Sequence, residues 1–354
     1  MDPVSHAALG RTLVSAFRAT SSPRPTRAAA AAAVLGSLSP DIDCVLMPFG
    51  WDIYLRAHEV GTHSITGALA CGMLVAALVR ALARQSAYRE LAAAACIGAA
   101  SHVALDLVSS ARLRPAWPAV DAIASLPLVA MADPWLFALC TIGPLAIWKA
   151  RRRRPSTPTA ASSVETGAAR LAVAAIAIFL VVKAALGAAA IARYEREQAV
   201  RQRPVITRVV EAEWASLLTW RIFDRTPEAL RAWRASAGGA VEQTLAWPIE
   251  PESSAVAASR ALTTVRNFLR AHELGFAVTG STPHDRIAVM WSDIRFCWSG
   301  SAAKPALPER AISRAGAAPI ACALWFGGEL SGNGTPIRQI VRVGGLIQTR
   351  DPAR

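Results

Sequence analysis

Apolar blocks long enough to cross a bilayer, about 20 residues each, recur through the first 192 positions of this chain. On a window of about 19 residues they fall near 28–47, 64–83, 90–110, 123–148 and 169–192. That repetition excludes a wholly soluble enzyme. Composition agrees: 53% of residues are hydrophobic and only 18% charged, against about 25% charged in soluble chains. No Gly/Pro period or charge-dominated tract marks a fibrous or disordered chain.

After Arg193 the character changes. Trp214, Trp220, Trp233, Trp247, Trp291 and Trp298 are scattered among polar residues, and Arg286-Ile287-Ala288-Val289-Met290-Trp291 alternates as a strand does. The expected fold is therefore an α-helical integral membrane domain of about five spans, residues 1–192, followed by a mixed α+β soluble domain, residues 193–354. Arg151–Arg154 with Pro155-Ser156-Thr157-Pro158-Thr159 reads as a basic linker. Residues 1–10 lack the basic region and apolar core of a cleavable signal, so the internal spans are expected to drive insertion.

The net charge of +13 is mostly arginine, which in a membrane protein marks cytoplasmic loops and anionic lipid. No DNA-binding motif accompanies it, and no nucleic-acid partner is expected. With the N-terminus inside, cytoplasmic segments hold Arg11, Arg18, Arg24 and Arg27, then Arg80, Arg84 and Arg89, then Lys149, Arg151–Arg154 and Arg170. The opposite loops hold Arg56, Arg112 and Arg114. By the positive-inside rule the C-terminal domain is extracytoplasmic, where Cys297 and Cys322 meet conditions that permit a disulfide. The cysteines form no CxxC pair, so no zinc ribbon is indicated.

Ionisable groups in or beside spans are costly and face a cavity or a partner. His6, His58, His63 and His102 lie in the first 102 residues, with Asp41, Asp43 and Asp106 close to them. His102 and Asp106 are i,i+4 on one helix face. Pro40 disfavours helical geometry at Ser39, which puts Asp41 and Asp43 on a turn or unwound end. His58 falls in the following loop and His63 at the start of the second span. An arginine-based topology thus carries these residues to one membrane face, except His6. That residue precedes the first span and belongs on the other side unless Val4–Phe17 is a re-entrant or inserted helix. Each residue also has a plainer reading: a packed histidine, a turn aspartate, or a cap at Thr62-His63-Ser64. His272 and His284, without ligand-spaced partners, read as surface or structural residues.

Imidazoles mixed with carboxylates suit Zn²⁺, with Mn²⁺ or Fe²⁺ as alternatives, better than Ca²⁺ or Mg²⁺. His6, Asp41, Asp43, His58, His63, His102 and Asp106 exceed the protein ligands of a mononuclear catalytic zinc site. One or two ions are expected, with some residues orienting others.

Ser5-His6 with Gly10, Leu35-Gly36-Ser37-Leu38-Ser39-Pro40-Asp41-Ile42-Asp43, His58 through Thr62-His63-Ser64, and Ser101-His102 with Leu105-Asp106 resemble the membrane-bound metal-dependent hydrolases that include the LexA-regulated inner-membrane hydrolases of bacteria. Ala132-Asp133-Pro134 and Trp291-Ser292-Asp293-Ile294-Arg295-Phe296 resemble longer members. The resemblance implies an inner-membrane protein with a His/Asp metal site that includes His6, and a hydrolytic activity. Two departures stand out: Glu59 occupies the family's arginine position, with Gly61 displaced by one, and Val108-Ser109-Ser110-Ala111 lacks the glycine that follows His-x-x-x-Asp.

The expected function is membrane-embedded, metal-dependent hydrolysis of an ester-type substrate, a lipid or phosphoester. Asp43 or Asp106 would be the catalytic carboxylate that relays the proton. Membrane lipid, or another amphiphile, is the expected partner. The alternatives are a metal transporter and a non-catalytic anchor with a structural metal and a partner-binding outer domain. Asp133 and Lys183 are the charges deepest in the expected spans; Asp133 is expected to cap a helix opened by Pro134, in preference to an ion pair with Lys183.

Overall fold

The structure, a computed structural model, describes residues 2–18, 25–58, 60–84, 87–152, 158–201, 204–249, 252–282, 286–299, 320–344 and 346–351. Glu59, His284 and the linker residues 153–157 lie outside them. The chain divides into two units, one of Met1–Cys44, Ala57–Ala189 and Glu211–Thr219, the other of Val45–Arg56, Ala190–Val210 and Trp220–Arg354. The expected division at 192/193 thus misses two exchanges, residues 45–56 and 211–219.

The first unit is helical. Asp2 caps α1 (Pro3–Ala16) by accepting from the Ser5 N–H at 2.8 Å, with Pro3 at the first position, where a missing N–H leaves nothing unsatisfied. α2 (Arg27–Leu38) is alanine-rich and passes into a 3-10 stretch, Ser39–Phe49. Ser39 keeps helical dihedrals, so the chain tightens at Pro40 rather than unwinding. α3 (Trp51–His58) and the turn Gly61–His63 follow; Gly61 has φ +70°, which glycine adopts readily. Ser64 then caps α4 (Ile65–Leu82), accepting from the Gly67 N–H at 3.0 Å. The bundle continues with α5 (Tyr88–Val108), α6 (Pro134–Arg152) and α7 (Pro158–Arg201).

Among the described residues, helical stretches long and apolar enough to cross a membrane number 4: Arg27–Phe49, Ile65–Leu82, Tyr88–Val108 and Ser162–Arg201. The span expected at 123–148 does not form as one helix. Residues 109–133 are non-helical, and α6 begins only at Pro134, where Asp133 Oδ1 accepts from the N–H groups of Trp135 (2.9 Å) and Leu136 (3.0 Å). This is the cap expected from Asp-Pro. Buried Lys183 donates instead to the carbonyls of Ser216 (3.0 Å) and Leu217 (3.4 Å). The turn after α5 needs no glycine: Ser110 takes φ +65°, and its hydroxyl donates to the Val129 carbonyl at 2.9 Å.

Small residues set how closely these helices approach. A Cβ on Gly36 would lie 2.2 Å from the Ala95 carbonyl oxygen, and one on Gly98 would lie 2.1 Å from that of Ala33, so α2 and α5 meet backbone to backbone, as small residues allow in membranes. Gly98→Ala is therefore expected to force the pair apart and lower stability by about 1–3 kcal/mol. Thermal unfolding of the purified protein in detergent checks this; an unchanged midpoint would contradict the close packing.

α1 lies within the bundle. Ala8 and Leu9 join Leu105, Val129, Leu136, Cys140 and Ile176 in one cluster, while Ala16 joins Ile147 and Ala169 in another. Its start therefore sits by the end of α5 and its finish by the start of α7. Further along, buried Glu165 is bound by Arg151 Nε (2.9 Å), Ser15 Oγ (2.9 Å) and Arg11 (3.3 Å). Burial raises the cost of that charge, and the paired guanidinium groups offset it.

The second unit is rich in β-structure. One sheet has the order β1 (Thr207–Ala212), β2 (Thr219–Arg225), β3 (Ala229–Ser236), β4 (Val241–Pro248). Helices α8 (Ser254–Ser259) and α9 (Thr263–Ala271) precede β5 (Gly275–Thr282) and β6 (Arg286–Asp293). A hairpin, β7 (Cys297–Ser299) with β8 (Ile320–Cys322), is closed by the Cys297–Cys322 disulfide. With β9 (Leu324–Leu330), β10 (Pro336–Val343) and β11 (Leu346–Arg350), the second sheet runs β11-β10-β9-β6-β5. β6 is covered on both faces: Met290 packs with Phe223, Leu230 and Trp325, while Val289 and Trp291 pack with Val265, Phe268 and Phe326. Its alternating residues feed two cores. His272 is structural, buried against Asp293 and Arg295. Burial pushes the Asp293 carboxyl up, but the Arg295 guanidinium and His272 outweigh this and hold it well below the usual carboxylate range.

Candidate metal centre

Every ligand expected from the sequence is brought to one place in the first unit. α5 presents His102 and Asp106 from successive turns, with His102 Nε2 3.2 Å from Asp106 Oδ2. The cap that starts α4 fixes His63 beside them, its Nε2 3.1 Å from His102 Nε2 and 3.5 Å from Asp106 Oδ2. From the 3-10 stretch, Asp41 Oδ1 approaches His63 Nε2 at 3.4 Å and His102 Nε2 at 3.5 Å.

These four donor atoms form a cage in which five separations lie between 3.1 and 3.5 Å; among the described residues, the groups compact enough to hold an ion are Asp41 with His63 and His102, His6 with His102 and Asp106, and Asp43 with His58 and His63. Ligands about 2.0–2.1 Å from a tetrahedral zinc ion stand roughly 3.3–3.4 Å apart. Asp41 Oδ1, His63 Nε2 and His102 Nε2 match three corners of such a set, and Asp106 Oδ2 stands beside both imidazoles. The charge fits too, since Asp41 and Asp106 would neutralise a dication between neutral imidazoles. His63, His102 and Asp106 are buried, whereas the Asp41 side chain is 35% exposed and marks the open side.

The neighbours orient the cage. His102 Nδ1 lies 2.7 Å from the Ser37 carbonyl; it must donate there, which leaves the Nε2 lone pair directed inward. His63 Nδ1 lies 3.4 Å from Asp43 Oδ2 and 3.1 Å from Thr62 Oγ1, and Thr62 donates to Asp43 Oδ2 at 2.9 Å. Asp43 also meets His58 Nδ1 at 3.1 Å. Burial works against protonating His63, but the Asp41 and Asp43 carboxylates outweigh it and raise its pKa above the ordinary value. The site attracts positive charge.

His6 is part of the cluster because α1 is inserted in the bundle. Its ring stacks on His102 at 3.8 Å between centroids, and its Nε2 lies 3.3 Å from Asp106 Oδ1. The Nδ1 is buried and has no hydrogen-bond partner among the described residues, an uncommon state for a buried nitrogen. Of the two readings of His6, across the membrane by the arginine count or in the site through an inserted Val4–Phe17 helix, the structure has the second. An arginine count reads which side a connection is on, and cannot see a short helix folded back among its neighbours.

Ser37 and Thr62 are contributors that sequence reasoning missed. A backbone carbonyl leaves no trace in residue identity, but Thr62 beside His63 could have been read as a partner for the Asp43 carboxylate. Thr62→Val is expected to free Asp43 and weaken metal binding by about 10-fold, the lower end of outer-shell effects. Chelator competition checks this, and unchanged affinity would contradict the role.

Residues 1–192 match the model of a family described as YdjM inner membrane protein. The chain belongs to the YdjM inner membrane protein family. A curated relative, "Uncharacterized protein YfhP" of Bacillus subtilis (strain 168), is 28% identical over 130 residues, 37% of this chain. The match spans only 39% of that protein's own length. No solved structure matches the chain. The YdjM match contains every residue of the cluster, from His6 to Asp106, and ends within α7, before the first sheet.

Proposed function

We propose that this protein is a membrane-embedded, metal-dependent hydrolase that cleaves an ester or phosphoester bond of an amphiphilic substrate, with membrane lipid as the nearest source. The observation carrying this reading is the group of Asp41, His63 and His102, whose donor atoms stand 3.1–3.5 Å apart, with Asp106 beside both imidazoles. When bound, a divalent ion supplies Lewis acidity toward a carbonyl or phosphoryl oxygen and acidifies water. The N₂O₂ donor set suits zinc, with manganese or iron as alternatives.

The chain's own residues supply the rest. Asp43, held between His58, Thr62 and His63, fixes the His63 ring and its tautomer. Asp106 presents one oxygen to the cage and the other to His6, so a proton accepted at Asp106 can pass toward the His6 imidazole. Asp41, on the exposed side, borders the route by which substrate arrives. The buried flank formed by His6 and His102 excludes water from the opposite side.

The metal end reads as extracytoplasmic. The segments joining α1 to α2, α4 to α5 and α6 to α7 hold Arg18 and Arg24, then Arg84, then Arg153 and Arg154, with Arg27 opening α2, and the positive-inside rule makes that the cytoplasmic end. The Cys297–Cys322 disulfide supports the same side for the C-terminal unit, since such bonds persist in oxidising compartments.

Purified protein loaded with zinc, incubated with phospholipids in mixed micelles and followed by mass spectrometry, tests the activity. Release of a headgroup or acyl chain by the loaded wild type, lost with chelator and in Asp106→Asn, is expected. Equal turnover by Asp106→Asn would refute the assignment of the site.

A further inference from the structure

The stretch of chain between two members of the metal centre is built into the other unit. Asp43 and His58 stand 3.1 Å apart, yet Val45–Arg56 between them folds as part of the C-terminal unit. There Trp51 packs against the core of Val265, Phe268, Phe326 and Val341. Its backbone N–H donates to Gln348 Oε1 at 3.2 Å, and Gln348 Nε2 donates to the Met47 carbonyl at 3.4 Å.

Asp52, 1% exposed, is the deepest anchor. It accepts from Asn267 Nδ2 of α9 at 3.1 Å and pairs with the Arg350 guanidinium of β11. Gly50, at φ +146°, permits this approach: a Cβ there would lie 2.7 Å from Arg350 Nη1 and 2.9 Å from Asp52 Oδ1. A buried carboxylate is tolerated only with its partners in place, so these contacts fix where the segment runs. α3 opens with the anchored Trp51 and Asp52 and closes with His58.

We propose that α9 and β11 of the C-terminal unit hold His58 in register through Asp52, which makes Asp52 and Arg350 positioning residues for the metal centre. The metal clause rests on the reading given above. Order passes along one line: Arg350 fixes Asp52, Asp52 fixes the start of α3, α3 delivers His58, and His58 with Thr62 aligns Asp43 on His63. A C-terminal unit so connected sets the affinity of the centre as well as following it in the chain.

Hydrogen–deuterium exchange on the purified full-length protein, without metal and with zinc, tests this for wild type, Arg350→Ala, Asp52→Asn and a control, Arg338→Ala. Arg338 pairs with Glu329 in the same sheet. Amides of residues 53–58 are expected to exchange at least about 10-fold faster in Arg350→Ala, with the zinc dissociation constant raised about 10-fold, the scale of outer-shell effects. Arg338→Ala should change neither, and in a His58→Ala background Arg350→Ala should weaken zinc no further. Asp52→Asn, which keeps the side chain's shape, should give the same pattern and serves where Arg350→Ala does not fold. Unchanged exchange at 53–58 overturns the clamp whether or not zinc binds. Faster exchange with unchanged zinc affinity overturns the positioning role. A wild type that binds no zinc defeats the metal reading and the positioning role with it, while the exchange data still decide the clamp.

Discussion

His63→Ala is expected to reduce zinc affinity by more than about 100-fold, beyond the 10–100-fold range of outer-shell losses, and to leave the purified protein without stoichiometric metal. His63 lies within 3.5 Å of Asp41, Asp43, Asp106 and His102. Removing it deletes a cage donor and strands Asp43, whose alignment runs through the His63 ring. His58→Ala, one step further out, should give a smaller loss. Metal analysis after mild extraction, with chelator titration, reads both. Equal metal content in wild type and His63→Ala would contradict the account.

The second large effect belongs to the C-terminal unit. Asp224 on β2 is fully buried and accepts from Arg231 Nε at 2.6 Å, from Trp233 Nε1 at 2.8 Å and from the Tyr194 hydroxyl. Neither Nη atom of Arg231 has a hydrogen-bond partner among the described residues, so the carboxylate is the main compensation for a buried guanidinium. Asp224→Ala is expected to destabilise this unit by about 3–5 kcal/mol, the usual consequence of stranding one member of a buried pair. Urea unfolding followed by tryptophan fluorescence measures it, because Trp220 and Trp233 lie in this core. A loss below about 1 kcal/mol, the range of an exposed pair, would show that the network is not what holds β2, β3 and the end of α7 together.

What was legible in the sequence followed from local rules with few competitors. His102 and Asp106 face one way because α-helical spacing leaves no other choice. Asp133 caps α6 because Pro134 cannot donate and a carboxylate in front of it can accept. The apolar block at 123–148 misled, because composition alone does not separate a helix from an apolar loop folded on a helical bundle. There the Pro127 and Asp133-Pro134 signals outweighed mean hydropathy. For a related reason the arginine count put His6 across the membrane while the family resemblance put it in the site: α1 is only 14 residues long, too short to register as a span. The role of residues 45–56 had no sequence signal at all. Its determinants, Asn267, Gln348 and Arg350, lie more than 200 positions away and act through contacts that exist only in the fold.

The central claim is that Asp41, His63, His102 and Asp106 bind one divalent ion directly. X-ray absorption at the zinc edge of the loaded, full-length protein tests it most directly. The account predicts a shell of four nitrogen and oxygen ligands at about 2.0–2.1 Å, with the outer scattering of two imidazoles, reduced to one imidazole in His102→Ala. Sulfur ligation, or a spectrum unchanged in His102→Ala, would contradict it.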